Sequence, residues 1–236
     1  MQAAQAKGIV LRLWGSLAIE YHSPSFHRLG FHETHEDIDF AANPKQRSKI
    51  LNFFGSLGYG DPSWPSRGSM DAGWVLLKND TRETVEVCFA HAVDDQLLMR
   101  SPVTLPVECL LARFLLGGTD KHGGAGPMLP FSNRVDDGIA FLLDHELADP
   151  AEDEEQVDIG RLSRWFVLWP DVALMALEVT RKTVERLDAA SDRTKVLASL
   201  DKLQPIIEYV QDLAGKPLAE TAWFWVSWGL LPVRRM

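Results

Sequence analysis

The chain has 236 residues, of which 46% are hydrophobic, and a formal net charge of −9. Such a length and composition are typical of a globular protein with one large domain or two small ones. The negative charge argues against broad, sequence-independent binding to nucleic acid, which requires clustered lysine and arginine, although it allows a local basic patch. No apolar run is long enough to span a bilayer and the N-terminus lacks an apolar signal-peptide core, so we expect a cytoplasmic protein without membrane partners.

The first predicted strand covers residues 9–14 and is followed by Gly15 and Ser16, before a helix that includes residues 17–21. A glycine and a serine suit a turn from a strand into a helix. Backbone N–H groups and a hydroxyl that are exposed at such a turn can bind phosphate. Gly15 and Ser16 are therefore candidate phosphate-binding residues.

The next connection, residues 22–36, is predicted to be irregular because it contains Ser, Pro and Gly. It also carries four histidines: His22, His27, His32 and His35. Their spacing matches no standard structural zinc pattern, and no cysteine lies among them. We interpret the segment as a polar loop at the border of an active site, and a zinc-binding loop is the less favoured alternative.

Asp37 and Asp39 lie two residues apart in a predicted strand, so both face the same side while Ile38 packs into the core. Two carboxylates held side by side repel each other unless a cation lies between them, and Mg²⁺ takes oxygen ligands. The pair therefore indicates a divalent metal site. Taken alone, an Asp-x-Asp sequence is more often part of a solvated face or a turn.

Beyond this strand, apolar residues recur at helical spacing over residues 44–57, and a hairpin is predicted at residues 74–78 and 84–90. Glu86 lies between two valines of the returning strand, a position at which the apolar pattern does not predict an acidic residue. A place in the metal site would explain Glu86. The alternative is an outward position on an edge strand.

The order of these features resembles the signature of the polymerase-beta-like nucleotidyltransferase superfamily: an apolar strand, Gly-Ser, a helix and a second strand with Asp-x-Asp. The resemblance implies that Asp37 and Asp39 bind Mg²⁺ or Mn²⁺ together with a nucleoside triphosphate. It also implies that Gly15 and Ser16 hold the outer phosphates. The superfamily takes a third carboxylate from a neighbouring strand, and Glu86 resembles it, with Glu in place of the commoner Asp.

A predicted helix that contains Arg113 and the segment at residues 132–137 resemble the second half of the abortive-infection and type IV toxin–antitoxin nucleotidyltransferases. Arg113 stands where that family usually has Lys, and Arg134 stands near its basic-acidic stretch with altered spacing. Between them, the glycine-rich run 117–127 contains Lys121 but lacks the ending of a P-loop. The resemblance implies that Arg113 or Arg134 neutralises charge on the triphosphate, or that Arg113 only flanks a helix. We interpret the glycine-rich run as a mobile loop, from which Lys121 could still reach a bound nucleotide.

The acidic segment 149–158 is predicted to be a solvated linker between two domains. We expect a nucleotidyltransferase-like catalytic domain at residues 1–148 and a helical domain at residues 159–236. The end of the chain is rich in aromatic residues, including Trp223, Trp225 and Trp228. These side chains could form a core, or a contact with a partner protein or a second copy.

The predicted fold is thus of the α/β (α+β) class, a nucleotidyltransferase core with a small mixed β-sheet flanked by helices, plus a C-terminal helical domain. The predicted function is Mg²⁺-dependent transfer of a nucleoside monophosphate from a nucleoside triphosphate such as ATP to a hydroxyl acceptor on tRNA, a protein or a small molecule. The partial second-half resemblance adds a toxin-like role by analogy. The alternative is a non-catalytic nucleotide-sensing or partner-binding module on the same fold.

Overall fold

The computed structural model describes residues 1–31, 37–60, 73–78, 81, 83–89, 95–116, 132–166 and 170–214. These residues form a helix-rich α/β fold with a small mixed sheet. The strands are β1 (Leu11–Trp14), β2 (Asp37–Ala42), β3 (Gly73–Leu77), β4 (Thr84–Cys88), β5 (Leu147–Ala148) and β6 (Val157–Asp158). The helices are α1 (Gln2–Ala6), α2 (Gly15–His22), α3 (Ser25–Arg28), α4 (Arg47–Gly55), α5 (Asp95–Arg100), α6 (Val107–Leu116), α7 (Ser132–Asp144), α8 (Ile159–Phe166), α9 (Pro170–Val184) and α10 (Ala190–Ala214). A 3₁₀ turn at Pro44–Gln46 precedes α4.

The sheet of four described strands has the order β1-β2-β4-β3. β2 is antiparallel to β1 and parallel to β4, and β3 is antiparallel to β4. Along the outer side of β1, the N–H of Leu13 donates to the carbonyl of Val103 (2.8 Å) and the N–H of Leu105 donates to the carbonyl of Leu13 (3.1 Å). The backbone before α6 therefore covers this edge of the sheet, and β2 and β4 lie in its interior.

The two faces of the sheet pack against different helices. A smaller hydrophobic cluster joins Val85 and Val87 of β4 to Phe53 and Phe54 of α4. A larger cluster lies on the other side and includes Ala41 of β2 together with residues of α2 and of α6 to α10. Because alternate residues of a strand face opposite sides, β2 places Ala41 in the larger cluster and Ala42 in the smaller one.

Helices on both sides of the acidic segment belong to the larger cluster. Phe114 in α6, Phe141 in α7, Leu162 in α8 and Ile207 in α10 are all buried in it. The separation of a catalytic domain from a helical domain at residues 149–158 stays a prediction, and the described helices before and after this segment share one core. No helix in the described part of the chain has both the length and the apolar character needed to cross a membrane.

The connection at residues 22–36, predicted to be irregular, contains the short helix α3. Its first residue, Ser25, donates through both its backbone N–H and its hydroxyl to the carboxylate of Asp144, each at 2.7 Å. A cap supplied from 119 positions away cannot be predicted from the local pattern. The short helices α1 and α5 were likewise not predicted, and five residues are too few to show a helical period.

Two boundaries differ from the predictions by a few residues. β1 begins at Leu11 instead of residue 9, and α4 ends at Gly55, so that Leu57 is exposed beyond it. The acidic segment ends in β6, which pairs with β5 in parallel, and helical structure begins at Ile159. Asp158 accepts a hydrogen bond from the N–H of Arg161 at 2.8 Å, which is the cap expected at the start of a helix.

Replacing Gly138 with alanine should destabilise the packing of α7 on α6. A Cβ atom at this position would overlap the buried ring of Phe114. We expect the Gly138→Ala variant to lose about 2 kcal/mol or more of unfolding free energy in urea titrations. Gly55→Ala, at the end of α4, is the matched control, because no atom lies within 4 Å of the added methyl. Equal stability of the two variants would contradict this packing.

Candidate active site

Three carboxylates meet on one face of the sheet, on its two central strands. Asp39 of β2 lies opposite Glu86 of β4 in the parallel pair, and Asp37 lies two residues before Asp39. Asp37, Asp39 and Glu86 each offer an oxygen, and the three oxygens lie within 4.8 Å of one another. All three residues are half-buried, so the cluster remains open to ions and ligands. The structure thus brings together the three residues that the sequence indicated as metal ligands.

The strand pattern explains why these side chains share a face. Val85 and Val87 are each 1% exposed and pack in the smaller hydrophobic cluster. Glu86 must then face the opposite side of β4. In β2, Ile38 and Phe40 pack against the same smaller cluster, which turns both aspartates the other way. Burial of the apolar neighbours therefore forces the acids together, although like charges repel.

The spacing of the three oxygens fits a hard divalent cation. Two oxygens bound to one Mg²⁺ at about 2.1 Å are at most about 4.2 Å apart, so modest side-chain movements would bring three oxygens that lie within 4.8 Å of one another onto a single ion. The same spacing also suits two ions about 4 Å apart, as in enzymes that transfer phosphoryl groups. Three carboxylates supply the oxygen ligands that Mg²⁺ and Mn²⁺ prefer.

The predicted phosphate-binding turn lies beside this cluster. Trp14, the last residue of β1, is opposite Asp39, and β1 runs antiparallel to β2. The chain after Trp14 therefore continues towards the Asp37 end of β2. Gly15 has φ +77°, a left-handed conformation that a residue with a Cβ atom avoids, and α2 starts there. Ser16 follows in the first turn of α2 and is half-buried.

Arg12 shares this face and was not indicated by the sequence analysis. It lies opposite Ala41 in the β1–β2 pair, which places it diagonally across from Asp39. Its Nη1 donates to the carbonyl of Leu11 at 2.8 Å. Burial lowers the pKa of Arg12, yet an arginine stays charged at neutral pH. In β1, Arg12 lies between two leucines, as Glu86 lies between two valines in β4. This pattern was the signal in the sequence that could have indicated Arg12.

The other cations predicted to contact the triphosphate are Arg113, Arg134 and Lys121. Arg113 lies in α6 and Arg134 lies in α7, two helices that pack together, and α2 packs against both of them. The side chains of Arg113 and Arg134 lie outside the described part of the structure, and so does the whole of Lys121. The tryptophans of the C-terminal stretch also lie outside it. Their predicted roles stay predictions.

The histidines of residues 22–36 do not join the carboxylate cluster where they are described. His22 ends α2 and contacts Thr104 and Glu155. His27 lies in α3 and pairs with Glu20 at 3.0 Å. His32 and His35 lie outside the described residues. A zinc site built from the four histidines of this segment therefore has no support among those that are described.

No protein-family model matches the chain, and a search of curated proteins gave no match either. Function must therefore be inferred from the chemistry of the site.

Magnesium should stabilise the folded protein through the carboxylate cluster. At a Mg²⁺ concentration about 100 times the dissociation constant, ligand linkage adds about 2.7 kcal/mol. For a chain of this size that corresponds to a rise in Tm of roughly 5–10 °C, measurable by differential scanning fluorimetry. The Asp37→Asn/Asp39→Asn variant should show no such rise. The control is Glu185→Gln, an exposed carboxylate just beyond α9, which should respond like wild type.

Proposed function

We propose that this protein is a Mg²⁺-dependent nucleotidyltransferase, which transfers a nucleoside monophosphate from a nucleoside triphosphate to a hydroxyl group. The observation that carries the proposal is the convergence of one oxygen each from Asp37, Asp39 and Glu86 within 4.8 Å. The Gly15–Ser16 turn beside this cluster supports it. So does the order of elements, in which strand, Gly-Ser, helix and Asp-x-Asp strand resemble the polymerase-beta-like nucleotidyltransferase superfamily.

The chain would hold the substrate by two kinds of contact. Asp37 and Asp39 would hold Mg²⁺ or Mn²⁺, which would supply positive charge to neutralise part of the charge of the triphosphate. Ser16 donates its hydroxyl, and the backbone N–H groups after Gly15 point at the outer phosphates from the start of α2. Together these contacts fix the α-phosphorus in front of the acceptor, which is the positioning that phosphoryl transfer requires.

Glu86 acts as the base for the acceptor. It takes the proton of the acceptor hydroxyl as that oxygen forms a bond to the α-phosphorus. The bond from the α-phosphorus to the bridging oxygen of the β-phosphate breaks in line, and pyrophosphate leaves with the bonding electrons. Arg12, Arg113, Lys121 and Arg134 are the cations assigned to the charge that develops on the pyrophosphate.

The acceptor is a hydroxyl of a tRNA end, a protein or a small molecule. The net charge of −9 favours a protein or small-molecule acceptor, because a large nucleic acid would be repelled without a basic surface. A toxin role follows only from the resemblance to type IV toxin–antitoxin enzymes. In that role, expression of the chain would arrest growth unless its partner is present.

Two departures from the family pattern favour a second candidate function. The third carboxylate is Glu86 and not the commoner Asp, which lengthens the ligand by one methylene, and Arg113 replaces a Lys, which changes the geometry offered to the triphosphate. A non-catalytic module that senses a nucleotide or binds a partner would tolerate both changes. Such a module binds a nucleoside triphosphate with Mg²⁺ but transfers nothing.

Incubation with each α-³²P-labelled nucleoside triphosphate, Mg²⁺ and a cell extract tests the proposal. Wild type should produce a labelled species whose sensitivity to nuclease or protease reveals the acceptor class. Asp37→Ala/Asp39→Ala should reduce the labelling at least about 100-fold because it removes the metal ligands. Glu185→Gln should label like wild type.

Two results would count against transfer. Labelling by the double variant equal to that of wild type would place the activity elsewhere or in a contaminant. A folded wild-type protein that binds Mg²⁺-triphosphate in isothermal titration but labels nothing with any nucleotide would support the non-catalytic module.

A further inference from the structure

A second cluster of ligand-type side chains lies at the far end of α2 from Gly15. It consists of His22 at the end of α2, His145 just after α7, and Glu155 in the acidic segment. The Nδ1 atom of His22 is 3.2 Å from Oε2 of Glu155, and Nδ1 of His145 is 3.7 Å from the same oxygen. The two nitrogens and the carboxylate oxygen all lie within 4.8 Å of one another.

Each imidazole is oriented through its other nitrogen. Nε2 of His22 is 2.7 Å from the hydroxyl of Thr104, and Nε2 of His145 is 3.2 Å from the carbonyl oxygen of His22. In a His145 ring that binds metal through Nδ1, the hydrogen is on Nε2, where the carbonyl of His22 accepts it. Metal-binding histidines show this arrangement, in which the second ring nitrogen donates to an oxygen and fixes the ring.

The imidazole of His145 faces backbone oxygens through both of its nitrogens. Nδ1 lies 2.7 Å from the carbonyl oxygen of Glu155, and Nε2 lies 3.2 Å from that of His22. A carbonyl oxygen only accepts, so a ring that carries one hydrogen donates to only one of these two oxygens. With that hydrogen on Nε2, Nδ1 is the nitrogen available to a metal ion on the side of Glu155.

We propose that His22, His145 and Glu155 form a zinc site, separate from the carboxylate cluster. Two imidazole nitrogens and one carboxylate oxygen are ligands that Zn²⁺ takes and that Mg²⁺ does not prefer. A small cavity of about 20 Å³, which has room for one water, is lined by two of the three ligands, His22 and Glu155.

The proposed zinc site would join three separate parts of the chain. His22 ends α2, His145 follows α7, and Glu155 belongs to the turn before β6. Two hydrogen bonds stabilise that turn, because a side-chain oxygen of Asp153 accepts from the N–H groups of both Glu155 and Gln156 at 2.9 Å. The ring of His145 is also stacked on Phe141 at 4.2 Å between centroids. A bound ion would thus link the acidic segment to the ends of α2 and α7.

Metal titration of the full-length protein tests this site without reference to nucleotide transfer. Protein stripped of metal should bind one Zn²⁺ per chain in isothermal titration, and Co²⁺ in its place should give the visible absorption of a tetrahedral ion. Asp37→Asn/Asp39→Asn should leave this binding unchanged, which separates the two sites. Failure of the transferase proposal would therefore not affect the result.

Glu155→Gln is the informative variant, because Glu155 is exposed and its loss should not prevent folding. We expect Glu155→Gln and His22→Gln each to weaken Zn²⁺ binding by at least about tenfold. Glu152→Gln removes the same charge from the same acidic segment and should bind Zn²⁺ like wild type. Absence of Zn²⁺ binding in wild type, or equal binding by Glu155→Gln, would overturn the proposal. So would ¹⁵N NMR spectra that show hydrogens on both nitrogens of His145 in the presence of Zn²⁺.

Discussion

The main physical constraint in this protein is the mutual repulsion of three carboxylates, which the burial of their apolar neighbours holds together on one face of the sheet. The energy for bringing the acids together comes from the hydrophobic cluster behind the sheet, where Val85 and Val87 are fully buried. Each such side chain contributes roughly 1.5–3 kcal/mol on burial, and this burial determines the face of the sheet on which Asp37, Asp39 and Glu86 lie. A divalent cation between the three carboxylates would replace their repulsion with attraction, so the arrangement favours metal binding.

α2 connects the candidate metal site to the rest of the molecule. It has eight residues and is about 12 Å long, from Gly15 beside the carboxylates to His22 in the proposed zinc site. It packs on α6 and α7, which belong to the large core that continues to α10. The turn predicted to bind phosphate is therefore shaped at one end by the left-handed conformation of Gly15, which glycine adopts without strain, and α2 is fixed along its length by the core. Preorganisation of this kind is what positions a triphosphate for transfer.

Local periodicity was sufficient to predict the part of the site that lies on strands. The alternation in β2 and β4 placed Asp37, Asp39 and Glu86 on one face, and the register of the two strands then brought them together. Contacts between distant parts of the chain were not predictable. The cap of α3 by Asp144, the pairing of β5 with β6, and the approach of His145 and Glu155 to His22 all depend on how the helices pack. No pattern within a few residues contains that information.

The most direct test of the central claim is crystallography of the protein with Mn²⁺ and a non-hydrolysable nucleoside triphosphate, using the anomalous signal of manganese. The account predicts an anomalous peak about 2.1 Å from oxygens of both Asp37 and Asp39, in contact with the triphosphate, with Glu86 at that ion or at a second one about 4 Å away. Triphosphate bound elsewhere, or no peak between the two aspartates at saturating Mn²⁺, would contradict it.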